Sequence, residues 1–158
     1  MIEFNKKTKI YTLHASQELP ISLSESWSFF SDPNNLSKMT PKHMNFKILT
    51  DLSSMYEGQI IKYRVSPFPF FRVGWTTEIT KVKKPFFFID EQTQGPFDLW
   101  HHEHNFEEIK NGIITHDKVL FKLPLGKIGR FFGEKIVINQ LKNIFDFRKD
   151  MLNKLYVK

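Results

Sequence analysis

Apolar and polar positions alternate along much of the chain up to residue 123, and a helical spacing replaces this pattern afterwards. Alternation of this kind is typical of strands with one buried face. A first strand is predicted over Thr8–Leu19, and Pro20 ends it because proline cannot donate to a sheet ladder. Six further strands, most of them bounded by Gly, Pro or Asn, are predicted at about Asn45–Asp51, Gln59–Ser66, Arg72–Val82, Phe86–Thr93, Leu99–Ile109 and Ile113–Leu123.

Two short helices are predicted between the first strand and the second. Ser22 and Glu25 have the spacing of a capping box, which satisfies two free N–H groups at a helix start. The apolar residues that follow on one helical face are Leu23, Trp27 and Phe30. Asp32-Pro33 breaks this helix, and residues 34–39 can form a second helical turn that ends before Pro41.

The last segment is predicted to be one long amphipathic helix over about Lys127–Tyr156. Its apolar residues step by three, four and seven and form one stripe: Phe131, Ile138, Leu141, Phe145, Leu152 and Leu155. A stripe of this length can be buried only against a broad surface, and a curved sheet is the expected partner. Consecutive antiparallel strands with one long helix indicate an α+β domain. A sheet bent around a helix is expected to leave an apolar pocket.

Composition narrows the class of protein. The 158 residues fit a single domain spanning 1–158. The absence of cysteine excludes disulfides, thiolate metal sites and cysteine nucleophiles. No signal-peptide pattern and no apolar stretch of about 20 residues occurs, so a cytoplasmic location is expected. The net charge of +6 comes from scattered Lys and Arg, and no specific nucleic-acid partner is predicted.

Aromatic residues are numerous, with 17 Phe, 4 Tyr and 3 Trp. Large rings line wide interior space efficiently because each buries much area with few rotatable bonds. A solid core rich in Phe is an equally good interpretation of the same composition.

Several strings in the chain resemble one family in their order. They are Asp32-Pro33-Asn34-Asn35-Leu36, Thr40-Pro41, Gly58, Tyr63-Arg64, Trp75 to Ile79, Phe88 to Gln92, Gly95-Pro96-Phe97, Trp100, His102, His104, Phe106, Asp117, Val119, Leu123 to Gly126, and Ile144 to Arg148. The chain resembles the bacterial SRPBCC (START-like, polyketide cyclase and coenzyme Q-binding-like) ligand-binding proteins. The resemblance implies a helix-grip fold of order β-α-α-β6-α, with a curved seven-stranded antiparallel sheet around the C-terminal helix. It implies no particular ligand, because this fold serves binding and catalysis alike.

Asn111-Gly112 is the strongest hairpin signal, because this pair tolerates the positive φ angles of a type I′ turn. A two-residue turn there pairs Lys110 with Ile113. Counting outward pairs Phe106 with Asp117, His104 with Val119, and His102 with Phe121. Alternation then places two sets of side chains inward, namely Trp100, His102, His104 and Phe106 on one strand and Thr115, Asp117, Val119 and Phe121 on the next.

This register places Asp117 diagonal to His104 and predicts a hydrogen-bonded pair at the cavity wall. A histidine partner offsets the cost of a buried carboxylate and raises the histidine pKa. Three roles stay open for the pair: locking the hairpin, which is favoured, hydrogen bonding to a ligand, and acid/base chemistry. His101 and His116 are expected to face outward.

A metal site is the competing interpretation of these residues. His102 and His104 with Asp117 could form a set of two histidines and one carboxylate. Ordinary hydrogen bonds are favoured for such histidines among aromatic residues. No metal or cofactor is therefore predicted.

Arg148 interrupts the apolar stripe of the last helix and needs an anionic partner. Asp90, Glu91 and Asp117 are the candidate carboxylates. A buried or rim salt bridge is favoured, and orientation of a polar ligand head is the alternative.

The apolar residues expected to line the cavity are Trp27, Phe30, Tyr63, Trp75, Phe88, Trp100, Phe106, Phe121, Leu141 and Phe145, with Trp27 more typical of plain core. The hairpin connection Ser66–Phe71 alternates aromatic residues with proline. Exposed, it would form a lip at the pocket mouth or a tip in transient contact with a membrane. Folded inward, it would cap the core.

The favoured function is noncatalytic binding of a small hydrophobic molecule, such as a lipid, a quinone or a polyketide-like compound. A cyclase or dehydratase with His104 and Asp117 as acid and base is the alternative. A protein- or RNA-interaction module is less favoured, since the basic residues are scattered. The pattern indicates neither the ligand nor the oligomeric state.

Overall fold

The computed structural model describes residues 1–50, 54–68 and 71–157. Within this part, the strands are β1 (Ile2–Asn5), β2 (Ile10–Leu19), β3 (Lys47–Ile48), β4 (Ile60–Phe68), β5 (Phe71–Lys83), β6 (Phe87–Gln94), β7 (Leu99–Ile109) and β8 (Gly112–Lys122). The helices are α1 (Leu23–Phe30), α2 (Asn34–Lys38), a single 3-10 turn (Lys42–Met44) and α3 (Gly126–Tyr156).

All the strands belong to one antiparallel sheet of order β1-β2-β8-β7-β6-β5-β4-β3. The predicted α+β architecture of helix-grip type is confirmed, with one strand more than the predicted seven. The additional strand is β1, a four-residue edge strand that pairs with β2. Its only apolar residues are Ile2 and Phe4, which is too short an alternation to predict a strand.

The capping box predicted before α1 is present. The Glu25 backbone N–H donates to Ser22 Oγ at 3.2 Å, and the Ser22 N–H donates to Glu25 Oε2 at 2.9 Å. Two orphan N–H groups are thereby satisfied at the helix start. Trp27 and Phe30 on the inner face of α1 are buried in the core that also contains Phe106.

The apolar stripe of α3 is only partly buried. Leu141 and Leu152 pack in the core, whereas Phe131 and Leu155 are exposed, so the prediction of one continuous buried stripe is wrong at its ends. The reason is helical geometry. Steps of three, four and seven do not match 3.6 residues per turn, and Phe131 and Leu155 lie about 120° apart around the axis, on either side of the buried pair.

Pairing between the neighbouring strands β5 and β6 is irregular. The register between β5 and β6 shifts between Thr76 and Thr77 and again between Ile79 and Lys81. Such bulges bend a strand and increase its twist. The bent sheet and α3 together enclose the interior space described below.

The β7–β8 hairpin forms where predicted, but the predicted pairing of the two strands is shifted by two residues, because Asp117 pairs with His104 rather than with Phe106. Ile109 pairs with Gly112, so the turn residues are Lys110-Asn111 rather than Asn111-Gly112. The positive φ angle falls on Gly112, at +145°. A Cβ atom there would collide with the carbonyl oxygen of Leu19, where β2 runs past the turn. Glycine is therefore required at this close approach rather than at the second turn position of a type I′ hairpin.

Candidate functional site

A cavity of about 370 Å³ lies between α3 and the central strands. Its wall is largely apolar and is closed at one side by α1 and α2. The residues predicted to line it that do so are Phe30, Tyr63, Trp75, Phe88, Trp100, Leu141 and Phe145. A volume of this size lies within the range of small-molecule sites.

Three of the residues predicted to line the cavity do not reach it. Phe106 packs with Trp27 and Phe30, and these rings form a solid core under α1. Phe121 is fully buried and stacks on Tyr11 of β2 at a ring-centroid distance of 5.0 Å. The prediction from strand alternation that the Phe106 and Phe121 rings point to the inner face is correct. Neighbouring side chains, however, fill the space between these rings and the cavity.

The polar end of the cavity is built by facing positions on three adjacent strands. Asp90 of β6 lies directly opposite His102 of β7, and His104 of β7 lies directly opposite Asp117 of β8. Because side chains two residues apart share a face, all four side chains project to the inside of the sheet. We call these four residues, together with Arg148 of α3, the polar cluster.

Within the polar cluster, Asp117 contacts both histidines and Arg148. Its Oδ1 accepts a hydrogen bond from His102 Nε2 at 2.8 Å and one from Arg148 Nη1 at 2.9 Å, and it lies 3.2 Å from His104 Nδ1. The Arg148 side chain is buried and its guanidinium lies 4.9 Å from the Phe145 ring. Of the carboxylates considered for Arg148, the structure selects Asp117.

Asp90 faces the other side of the two imidazoles. His104 Nε2 lies 2.9 Å from Asp90 Oδ2, which is a hydrogen bond, while His102 Nδ1 lies 3.6 Å from the same oxygen. The two rings are in contact, with centroids 3.7 Å apart. Each histidine is thus placed between two carboxylates.

The two carboxyl groups stay ionised. Burial alone would raise the pKa of Asp117, but the Arg148 guanidinium and the hydrogen bonds from His102 and His104 hold it well below its usual value. Burial likewise acts to raise the pKa of Asp90, and the hydrogen bond from His104 with the neighbouring positive charges lowers it overall. Both groups therefore act as hydrogen-bond acceptors only.

The surroundings shift the pKa values of the two histidines in opposite directions. Burial and the neighbouring His104 lower the pKa of His102 more than its carboxylate partners raise it. Burial also acts to lower the pKa of His104, but hydrogen bonds to Asp117 and Asp90 raise it overall. Of the two rings, His104 therefore holds a second proton more readily than His102.

The sequence-predicted pair His104–Asp117 exists, but it is one contact within a larger network. Asp117 itself does not line the cavity, because the histidines and Arg148 lie in front of it. Asp90, His102, His104 and Arg148 do line the cavity. From sequence, Asp90 is predicted only as a candidate partner for Arg148, although its position two residues after Phe88 on one strand face indicates an inward side chain.

Two residues that line the cavity each carry a buried donor that has no hydrogen-bond partner among the described residues. The donors are the indole N–H of Trp75 and the Nε–H of Arg148. Beside them, Thr77 Oγ1 lies 3.3 Å from the Tyr63 hydroxyl, and burial with the nearby Asp90 charge raises the pKa of Tyr63. A buried N–H without an acceptor costs about 1–3 kcal/mol, so such groups indicate a missing partner.

His101 and His116 lie on the opposite face from the polar cluster. The His101 ring contacts Glu91 and Glu103, and the half-exposed His116 lies 3.7 Å from Glu107. Within the connection Ser66–Phe71 considered as a lip, residues 69 and 70 lie outside the described residues.

Comparison with known proteins identifies the family. Residues 19–145 match the family of polyketide cyclase / dehydrase and lipid transport proteins. The chain belongs to this family. The resemblance to SRPBCC proteins is thereby confirmed, and with it a fold that binds hydrophobic ligands. No curated protein has a sequence that matches this chain significantly.

Several solved structures have the same fold as this chain, although their sequences are only 8–18% identical to it. Protein Ms6760 from Mycobacterium smegmatis is 18% identical and superimposes with a TM-score of 0.69 over 99% of this chain and 98% of its own. Major latex-like protein 151 from Panax ginseng is 8% identical, with a TM-score of 0.69 over 95% of this chain and 99% of its own. StfQ, a di-domain aromatase/cyclase of the steffimycin biosynthetic pathway, is 8% identical, with a TM-score of 0.68 over 94% of this chain and 52% of its own.

None of the helices in the described part of the chain is both long and apolar enough to span a membrane. The long helix α3 carries charged residues along its whole length.

Proposed function

We propose that this protein binds a small hydrophobic molecule, such as a lipid, a quinone or a polyketide-like compound, in the cavity beneath α3. The observation that carries the proposal is an apolar cavity of about 370 Å³, whose lining residues include Trp75 and Arg148. Each of these two side chains has a buried N–H without a partner among the described residues, and a small shift of the side chain on binding would let that N–H donate to a carbonyl or hydroxyl oxygen of the ligand. The rest of the ligand would lie against the aromatic wall.

Burial of apolar surface is the main driving force expected for binding. A ligand that loses about 300 Å² of apolar surface gains about 7 kcal/mol at 25 cal/mol/Å². Association costs of at least about 4 kcal/mol offset much of this gain. The hydrogen bonds to Trp75 and Arg148 would therefore contribute orientation and selectivity among hydrophobic molecules.

Two neighbouring positions on α3 give a matched test. Val137 lines the cavity, whereas Ile136 is exposed on the next face of the same helix. The Val137→Trp indole should occupy part of the cavity and weaken binding of the uncharged, apolar fluorescent probe N-phenyl-1-naphthylamine at least tenfold. The Ile136→Trp variant should bind as the unmodified protein does.

Fluorescence titration measures both affinities, and native mass spectrometry of freshly purified protein detects a ligand that co-purifies. Thermal melts establish that both variants are folded. Equal probe binding by Val137→Trp and Ile136→Trp would show that the probe does not enter the cavity and would contradict the proposal.

A second candidate is an acid/base enzyme of the cyclase or dehydratase type. It is favoured by His104, which lines the cavity and lies between Asp90 and Asp117. Asp117 would then position His104 rather than exchange protons with a substrate, because it lies behind the histidines. Loss of one water from a linear polyketide-like compound, followed by mass spectrometry and abolished by His104→Gln, is the result that distinguishes this candidate from simple binding.

A further inference from the structure

Three donor atoms of the polar cluster converge at the cavity wall. They are Asp90 Oδ2, His102 Nδ1 and His104 Nε2, which all lie within 4.8 Å of one another. Asp90 Oδ2 is 2.9 Å from His104 Nε2 and 3.6 Å from His102 Nδ1. Metal–ligand bonds of about 2.0–2.2 Å place neighbouring ligand atoms of one ion at such separations.

The opposite nitrogens of both rings are held by a second carboxylate. His102 Nε2 lies 2.8 Å and His104 Nδ1 lies 3.2 Å from Asp117 Oδ1. Because an ionised carboxylate only accepts hydrogen bonds, each of these nitrogens carries its proton toward Asp117. Metal-binding histidines use an outer carboxylate in this way to fix the ring and to direct the other nitrogen at the ion.

The gap between His102 and Asp90 fits an ion better than a direct hydrogen bond. His102 Nδ1 lies 3.6 Å from Asp90 Oδ2, which exceeds a hydrogen bond, while His102 Nε2 on the other side of the ring lies 2.8 Å from Asp117. Ligand atoms of one ion, each bound at about 2.0–2.2 Å, lie at separations of this size.

We propose that Asp90, His102 and His104 form a binding site for a divalent transition-metal ion at the polar end of the cavity. The set differs from the one considered from sequence, because Asp90 replaces Asp117 as a ligand and Asp117 becomes the outer carboxylate that orients both rings. Two imidazoles and one carboxylate suit Zn²⁺ and the related ions of the first transition row. The ion would take the place of the proton between His104 and Asp90.

Arg148 supplies a positive charge beside the outer carboxylate, since its Nη1 donates to Asp117 Oδ1 at 2.9 Å. Asp90, His102 and His104 all line the cavity, so the remaining coordination positions face it. Water or an oxygen of a bound molecule would fill them, and only this last point rests on the proposed function.

The first experiment measures metal binding by the whole chain. Protein freed of metal with a chelator is titrated with Zn²⁺ by calorimetry and with Co²⁺ by visible absorption. We expect one ion per chain and a Co²⁺ spectrum of nitrogen and oxygen ligation. His102→Gln/His104→Gln should lower the Zn²⁺ affinity at least 100-fold, and Asp117→Asn should lower it about 10–100-fold, as removal of an outer-shell partner does.

The matched control is His101→Gln/His116→Gln, which removes two histidines from the opposite face of the same hairpin and should leave the Zn²⁺ affinity unchanged. A second measurement needs no variant, because bound Co²⁺ should broaden the ring signals of His102 and His104 in the NMR spectrum of the unmodified protein. Absence of Zn²⁺ binding, equal affinity in the two double variants, or broadening only at other histidines would overturn the proposal.

The same metal-free protein is used to measure binding of the apolar probe. Probe binding without metal binding would overturn the metal site and leave the proposed function in place. Metal binding without probe binding would overturn the proposed function and leave the metal site in place.

Discussion

The two halves of α3 are similar in apolar content but differ in what they bury. In the C-terminal half, Leu141 and Leu152 are 5% and 2% exposed, whereas Ile128 and Phe131 in the N-terminal half are 67% and 84% exposed. The difference lies in the residues that each half presents to the sheet. Toward the cavity, the C-terminal half presents large side chains such as Leu141, Phe145 and Arg148, whereas the N-terminal half presents Gly129, Gly133 and Val137.

This difference explains how a single amphipathic helix can close a core and still leave room for a ligand. Side chains such as Leu152 fill the space under the C-terminal half and fix the helix on the sheet. Gly133 contributes no side chain, and a Cβ atom there would meet nothing within 4 Å, so space stays open under this part of the N-terminal half. The cavity therefore depends on small residues at particular turns of the helix as much as on the bend of the sheet.

The largest effect is expected from removal of the ion pair that joins the C-terminal half to the sheet. Arg148→Met leaves the buried Asp117 carboxylate without its guanidinium partner. Breaking a buried pair in this way costs about 3–5 kcal/mol, because the remaining charge is not compensated. Urea denaturation should show a loss of this size in the free energy of unfolding.

The double variant Arg148→Met/Asp117→Asn is the control for this prediction. It removes the buried charge as well and should regain part of the lost stability, which gives a coupling energy between the two residues. If the double variant is less stable than Arg148→Met by the full effect of Asp117→Asn alone, the two side chains act independently and the interpretation of α3 as anchored by this ion pair is wrong.

A somewhat smaller effect is expected from truncation of Leu152, which packs in the core beneath the C-terminal half of α3. Leu152→Ala should lower the free energy of unfolding by about 2–5 kcal/mol, because the truncated side chain leaves a hole in a packed core. Leu155→Ala, three residues further on and 48% exposed, should change it by less than about 1 kcal/mol. Similar losses in the two variants would contradict the assignment of the buried face of α3.

The sequence predicts the elements of this fold well, because periodicity and turn residues are local properties. The capping box at Ser22 and the alternation in β7 need no knowledge of distant residues. The hairpin register is different, since the predicted type I′ turn needs a positive φ angle at both Asn111 and Gly112, whereas of these two only Gly112 takes one in the structure. Gly112 lies there against the Leu19 carbonyl, which comes close to the turn only in the folded chain.

The membership of the polar cluster could be predicted only in part. Alternation along the strands indicates that His102, His104 and Asp117 point inward. The position of the charged Arg148 within the apolar stripe of α3 predicts a carboxylate partner for it. Which of these groups reaches the cavity depends on what lies in front of each one. Asp117 is covered by the histidines, whereas Asp90 is not, and no local pattern distinguishes the two aspartates.

The smallest effect tests directly whether small residues on α3 keep the cavity open. Gly129 and Gly133 both lie in the N-terminal half and both line the cavity, but their surroundings differ. A Cβ atom at Gly129 would collide with the Pro124 carbonyl oxygen, whereas one at Gly133 meets nothing within 4 Å. Gly133→Ala should therefore stabilise the protein by about 0.5–1 kcal/mol through helix propensity, while Gly129→Ala should destabilise it.

Thermal melts of the two variants measure this contrast, and the affinity for the apolar probe shows its consequence. The added methyl group of Gly133→Ala takes up cavity space, so probe binding should weaken slightly as stability rises. Stabilisation by both substitutions would mean that the Pro124 carbonyl does not press against Gly129. A Gly133→Ala variant that gains stability and also binds the probe more tightly would mean that the N-terminal half of α3 limits access to the cavity rather than its volume.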